Sequence, residues 1–354
     1  MVQFQEVSGF TLNPSAWNCT IRQETQRRRP NYFFTNAIYS NSSIFRWTSI
    51  PADTSENQMT FSADKPSYVF GRHASFQLRY SWLTKGYDAI KSHPAGKDIF
   101  SSEEATVELG VGKNMVASIR YWLQAAGITD AKDEISDFGE SLFSKKGYDK
   151  YLEDDATLWL IHWQLATNQR LASSIHWLFN QFHKTNFTTE EALNHLKGFL
   201  RDNNIKFSDS TLKTDLQVTL RMYSPHKSSD TLVEDMLESP LSLLWLINYS
   251  DGRYHFKPAK RETLPPAIVG YAVTQHFSQS NNKPISIRDL MYGSDKPLGA
   301  IFRLTEESLI AKLEQLIALY PKDYELREDA GVHQLYKIGK LTPPDYLKRY
   351  YEAH

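Results

Sequence analysis

The chain has one cysteine, Cys19, among 354 residues, so neither a disulfide framework nor a cysteine-built zinc site can be assembled from it. A lone thiol suits a reducing cytosol. No uninterrupted run of about 18 apolar residues occurs, which excludes a membrane-spanning helix on sequence criteria. The opening segment, MVQFQEVSGFTLNPS, lacks the basic-then-apolar pattern of a secretory signal, and a cytoplasmic protein is expected. Net charge is nearly absent as well: 40 Lys and Arg face 41 Asp and Glu. That balance excludes a chain basic throughout but leaves room for a basic face within a neutral total.

Charge is segregated along the chain. Basic residues cluster at Arg27, Arg28 and Arg29, and again at Arg253, Lys257, Lys260 and Arg261. Acidic residues concentrate between 130 and 155, from Asp130, Asp133 and Glu134 to Glu153, Asp154 and Asp155. Solvated faces are the plainer account of each cluster. A flexible basic arm and a basic hairpin that track a phosphate backbone are the functional account.

Residues 1–65 are polar with interspersed aromatics and read as an N-terminal extension of short strands. From 66 the pattern turns helical. Phe76, Tyr80, Leu83, Tyr87 and Ile90 share one helix face, Pro94 and Gly96 close that helix, and Ser101 with Glu104 reads as a capping box. A glycine turn, LGVG, then leads into KNMVASIRYWLQAA, which Gly127 ends. Helix, short helix, turn, helix is the order of a helix-turn-helix domain over 66–127. An acidic connector follows at 128–154.

Residues 155–262 read as a helical domain with a wing. Two buried helices (LWLIHWQLA, SIHWLFNQF) precede helices opened by Thr188 or Thr189 and by Ser208, and Asp251-Gly252 marks a hairpin leading into the basic run. The order recurs in 263–354, with helices around 266–278, from Ser286 and over 305–320, a hairpin over 324–338 and a terminal helix. The expected fold is mainly α: tandem winged-helix or helix-turn-helix units with short β-hairpin wings and a less regular N-terminal extension.

Within the 113–126 helix, Met115, Ile119, Trp122 and Ala126 form the expected apolar face, leaving Lys113, Asn114, Ala117, Ser118, Tyr121 and Gln124 away from it. Lys113, Asn114, Ser118, Arg120 and Tyr121 are therefore candidate DNA contacts, joined by Lys85 and by Arg253, Lys257, Lys260 and Arg261 of the hairpin. A surface helix without DNA contact is the alternative. LGVGKN does not match a phosphate-binding P-loop, since Val107 stands where the first glycine belongs and Asn114 where Ser or Thr belongs, and no nucleotide or organic cofactor is expected.

FGRH, residues 70–73, is expected at the start of the first helix, where Arg72, His73 and Arg79 could converge on a phosphate and His73 could act as general base. A histidine that caps or packs is the commoner case. Asp323, Glu325 and Arg327 faintly match paired carboxylates with a basic partner, though a solvated hairpin is simpler. His162, His176 and His183 sit among Trp and Leu and read as core rather than as metal ligands.

The runs FGRHASFQLRYSWLTKGYDAI and IFSSEEATVELGVGKNMVASIRYWLQAAGI, with GAIFRLTEESL and DAGVHQLY further on, resemble the SspB-like family, a bacterial domain of unknown function found in DNA phosphorothioation and anti-phage defence gene clusters. The resemblance spans about 68–340. It implies a DNA-nicking role that lets sulfur enter the backbone, with Mg²⁺ or Mn²⁺ as the allowed cofactor and the metal ligands unassigned. It also implies a cysteine desulfurase, a PAPS-reductase-like ATP pyrophosphatase and an ATPase as partners beside DNA, and it accommodates a homo-oligomer. A non-catalytic DNA-binding adaptor and a winged-helix transcriptional regulator are the other readings.

Overall fold

The computed structural model describes residues 68–354 except 94–95, 103, 225–238, 280–281, 295 and 330. Expectations for the N-terminal extension, Cys19 and the arginine run at 27–29 lie outside these residues. Helices dominate, accompanied by two small antiparallel sheets. No helix among the described residues is long and apolar enough to cross a membrane.

The first region comprises α1 (Tyr80–Ser92), α2 (Ala105–Leu109), α3 (Lys113–Ala125) and α4 (Asp137–Phe143). α1 begins at Tyr80, so the FGRH run lies in a preceding loop rather than at a helix start. Ser101 ends a 3-10 turn and Glu104 precedes α2 with no side-chain cap, so the expected capping box does not form. α1 and α3 cross closely: a Cβ on Gly86 would come within 2.5 Å of Leu123 and 2.8 Å of Ile119. Gly127 adopts the left-handed φ of +72° expected after a helix.

The acidic stretch at 128–154 is no connector. Its helix α4 buries Leu142 and Phe143, and its carboxylates have internal work. Glu140 takes the Tyr87 hydroxyl and pairs with Lys91, Asp149 accepts from the backbone of Glu153 and Asp154, and Asp154 caps the next helix. Acidity in sequence signalled helix caps and ion pairs here, and those need no free surface.

That next helix, α5 (Asp155–Thr167), is buried on nearly every side, as a helix apolar all round must be. His162 lies at its centre. Its Nε2–H donates to the Ile301 carbonyl at 2.9 Å while Nδ1 accepts from the Tyr223 hydroxyl at 2.8 Å. Burial holds the imidazole neutral, drawing its pKa down to about 3.

Two modules of like element order flank this helix. The first runs α6 (Ser173–Asn180), β1 (Asn186–Phe187), α7 (Thr189–Asp202), α8 (Asp209–Tyr223), β2 (Ile247–Ser250) and β3 (Arg253–Phe256), with the sheet ordered β1-β3-β2. A full capping box of Thr188 and Glu191 starts α7. Asp251 (φ +52°) and Gly252 (φ +75°) make the tight hairpin turn, as Asp-Gly between strands predicts.

The second module runs α9 (Pro266–Gln279), β4 (Ile285–Ser286), α10 (Ile287–Tyr292), α11 (Leu298–Phe302), α12 (Glu306–Leu319), β5 (Tyr324–Asp329) and β6 (Val332–Lys337), with the sheet ordered β4-β6-β5. In both, the isolated first strand pairs with the last. A terminal helix, α13 (Pro343–Tyr351), packs on α9 and returns to the first half through Tyr351, whose ring stacks on Tyr148 and whose hydroxyl bonds Thr157.

Candidate nucleic-acid interface

The two glycine-rich signature runs meet in space. His73 is 4% exposed, and its Nε2–H donates to Asp215 Oδ1 on α8 at 3.0 Å. Its Nδ1 accepts from the Ser75 backbone N–H at 3.2 Å, its ring stacks against Trp122 of α3, and its carbonyl accepts from Ser118 Oγ at 2.6 Å. Asp215 also takes the Gly71 N–H on both oxygens, at 2.9 and 3.0 Å, and accepts from Ser174 Oγ at 3.4 Å. The loop 71–75 is thus clamped between α3 and α8.

This arrangement withdraws His73 as a general base, because both ring nitrogens are committed and no face of the ring is open. Arg79 does not join Arg72 and His73 at an anion site; its guanidinium lies over the Trp82 ring at 5.5 Å. Arg72 alone of the three is exposed beyond the loop.

The reading of α3 as a recognition helix also needs correction. Ser118 is fully buried and Tyr121 is 9% exposed, its hydroxyl donating to the Leu171 carbonyl at 2.7 Å. Arg120 is held by Asp133 through Nε at 3.1 Å and a second nitrogen at 2.7 Å, and Gln124 donates to the same carboxylate. A helix that reads a groove needs one long free face. On α3 only the first turn and a half remains free, at Lys113, Asn114 and Ala117. Lys85 is exposed on α1 but shares its shallow cleft with Asp88 and Glu108.

The basic hairpin divides in two. Arg253 donates to Asn186 and pairs with Glu191 at 2.8 Å, and Glu191, also paired with Lys184, is held down to about 2. Arg261 donates to the carbonyls of Leu244, Trp245, Lys257 and Phe302, a fold-making role. Lys257 and Lys260 stay exposed. Glu325 pairs with Arg327 at 2.6 Å and Asp323 Oδ1 accepts the Leu341 backbone N–H at 3.3 Å, so each carboxylate serves the hairpin's own structure.

Sequence reasoning passed over α8. Its loop-facing side carries Thr211 and Asp215, and its exposed side carries Ser210, Lys213, Gln217 and Arg221, with Thr214 half-buried at the edge. At ~100° per residue these five share one arc of the helix, and Thr214 and Arg221 lie on the flank nearest the loop. Arg221 reaches the Ser75 carbonyl at 3.5 Å. On α3, Asn114 and Ala117 are exposed one turn before Ser118 and Tyr121. Arg72 and Arg221 lie at loop 71–75, and Lys213 and Gln217 continue the exposed polar arc of α8. The spacing of four between 213, 217 and 221 was the only signal available.

The described residues contain no group of three or more His, Cys, Asp or Glu side chains placed to hold a metal ion.

A family model for a protein of unknown function, DUF4007, matches residues 70–351, and the chain belongs to that family. Its fold is similar to a magnesium ion-bound SspB crystal structure, with a TM-score of 0.70 and 25% identity over 80% of this chain and 88% of that one. It is likewise similar to an SspB crystal structure, at 0.70 and 25% over 81% and 89%. No curated protein matches. The SspB-like resemblance read from the two signature runs therefore holds.

Proposed function

We propose that this chain is a DNA-binding component of a bacterial phosphorothioation system and that its first module grips duplex DNA as a winged helix. One observation carries the reading: a helix–strand–helix–helix–hairpin order, with the lone strand closing the sheet, sets α8 in the position of a recognition helix with an uncommitted polar, basic face. Lys213 and Arg221 would meet phosphates, Gln217 could reach a base edge, and Lys257 and Lys260 would follow the backbone from the wing. The second module takes the same fold with a different surface. Kinship supports the phosphorothioation setting and the sulfur-transfer partners.

Strand nicking with Mg²⁺ or Mn²⁺ is the finer reading that kinship brings. The committed ring of His73 favours the adaptor over it. Two measurements decide. Fluorescence anisotropy on labelled duplex across a salt series should show binding whose log–log salt slope falls by ~0.9 per phosphate contact removed, by about two for Lys213→Ala with Arg221→Ala. An unchanged slope refutes the α8 interface. Supercoiled plasmid incubated with Mg²⁺, Mn²⁺ or EDTA should stay closed; open circles in a metal lane would restore the nickase.

A further inference from the structure

We propose that loop 71–75 is a binding site for a nucleic-acid backbone phosphate, with Arg72 making the contact and buried Asp215 as its positioning residue. The inference rests on the DNA-binding reading above and goes beyond it by naming a site off α8 and the group that holds it in shape.

Asp215 binds the residue on either side of Arg72: the backbone N–H of Gly71 and the ring Nε2–H of His73. One carboxylate thus pins positions 71 and 73 to α8 and leaves 72 at the apex, its side chain exposed. The loop accepts disfavoured backbone to do this, with φ of +84° at Gly71, +46° at Ala74 and +67° at Ser75. Left-handed geometry at two adjacent residues with a Cβ persists only where surroundings over-determine it, and here Ser118, Trp122 and Asp215 do so.

Among the described residues the Arg72 guanidinium has no hydrogen-bond or ion-pair partner, in contrast to Arg120, Arg253, Arg261 and Arg303. Asp215 does not supply one, because its oxygens are taken up by Gly71, His73 and Ser174. A rigid, strained loop that ends in an unused cation, beside Arg221, fits a single anionic oxygen group at the edge of the α8 surface. A phosphodiester held there would sit between the two arginines, and Arg72 would lose little freedom on binding it.

The test uses the full chain and a fluorescein-labelled duplex of mixed sequence, with anisotropy read across a NaCl series. Arg72→Ala, at an exposed position that leaves the clamp intact, should lower the salt slope by ~0.9, while Arg72→Lys should keep the slope and weaken affinity a few-fold. Asp215→Ala should lose the same slope with Arg72 and Arg221 still present. It removes both oxygens from Gly71 and His73, whereas an amide oxygen in the place of Oδ1 would keep both bonds. Circular dichroism on each variant confirms a folded chain. Should Asp215→Ala not fold, Gly71→Ala takes its place, since a Cβ there meets Thr211 Cγ2 at 2.9 Å and displaces the loop without touching the carboxylate.

A wild-type slope in Arg72→Ala overturns the site while leaving the α8 reading standing if Lys213→Ala and Arg221→Ala still lower it. A lowered slope in Arg72→Ala with a wild-type slope in the loop variants overturns the positioning role alone. Absence of salt-dependent binding in the wild type removes the DNA reading and this site with it.

Discussion

α8 and α12 each lead into the hairpin of their module, the second module carrying one more helix, α11, yet they present opposite chemistry. The open side of α8 holds Asp209, which pairs with Lys197 at 2.6 Å, then Ser210, Lys213, Gln217 and Arg221; that of α12 holds Glu306, Glu307, Ala311, Glu314, Gln315, Ala318 and Leu319. Each helix also buries one charge opposite in sign to its surface. Asp215 turns inward from the cationic face of α8, and Lys312 turns inward from the acidic face of α12 to donate to the Leu264 carbonyl at 2.7 Å. Topology therefore sets where a helix can present side chains, and the exposed arc alone decides whether a polyanion is welcome. On the proposed reading, two modules of similar element order offer surfaces of opposite charge.

The buried charges separate the modules most sharply. Asp215→Ala strips acceptors from a buried N–H and a buried imidazole and should cost about 3 kcal/mol in urea unfolding. Lys312→Met keeps most of the packed stem and should cost about 1 kcal/mol. Equal losses at the two sites would erase the distinction between a clamp and a single tether.

Charge reversal tests the surfaces next. Lys213→Glu with Arg221→Glu should weaken duplex binding by ~10²-fold at low salt. Neutralising Glu306, Glu307 and Glu314 to Gln should move affinity no more than about twofold; a large gain would mean that α12 faces the DNA.

The third prediction concerns the pin between the modules. His162 ties α5 to Tyr223 of α8 and Ile301 of α11, and burial lowers its pKa to about 3. Below pH ~6.5 the unfolded chain binds a proton that the folded one refuses, so stability is lost as pH falls, at up to ~1.4 kcal/mol per unit. Urea unfolding at pH 6.5 and pH 5 should differ by about 2 kcal/mol, and His162→Asn should flatten that window.

The smallest effect is at the wing. Arg253→Ala should change stability by no more than ~0.5 kcal/mol, since its pair with Glu191 is at the surface, and should leave the DNA salt slope unchanged. Lys257→Ala should lower that slope detectably if the first module's hairpin follows the backbone.

Local chemistry was readable in the sequence. The Asp251-Gly252 turn, the Ser286 cap and Gly127 declare themselves through neighbours two or three residues away, while of the two candidate caps Thr188 and Thr189 the structure selects Thr188, with Glu191 completing the box. The mainly helical class and both hairpins followed from the same signals. What misled was polarity without partners. Ser118 and Tyr121 look like surface residues until a carbonyl from a distant segment takes each hydroxyl, and the 128–154 acids look like a solvated tether until Lys91 and helix N-termini claim them. His73 resembled a reactive histidine because Asp215, which occupies it, lies 142 positions on. The α8 surface escaped notice because Lys213 and Arg221 stand singly among neutral and acidic neighbours and gather only once the helix is wound.

That same separation governs how this family can vary and how it can be cut. The loop that opens the first signature run is seated by an acid that belongs to another module, so positions 71, 73 and 215 form one structural unit. Relatives that lose the acid should lose the histidine too. A fragment ending near 127 would carry loop 71–75 and α3 and still present them without the Asp215 anchor.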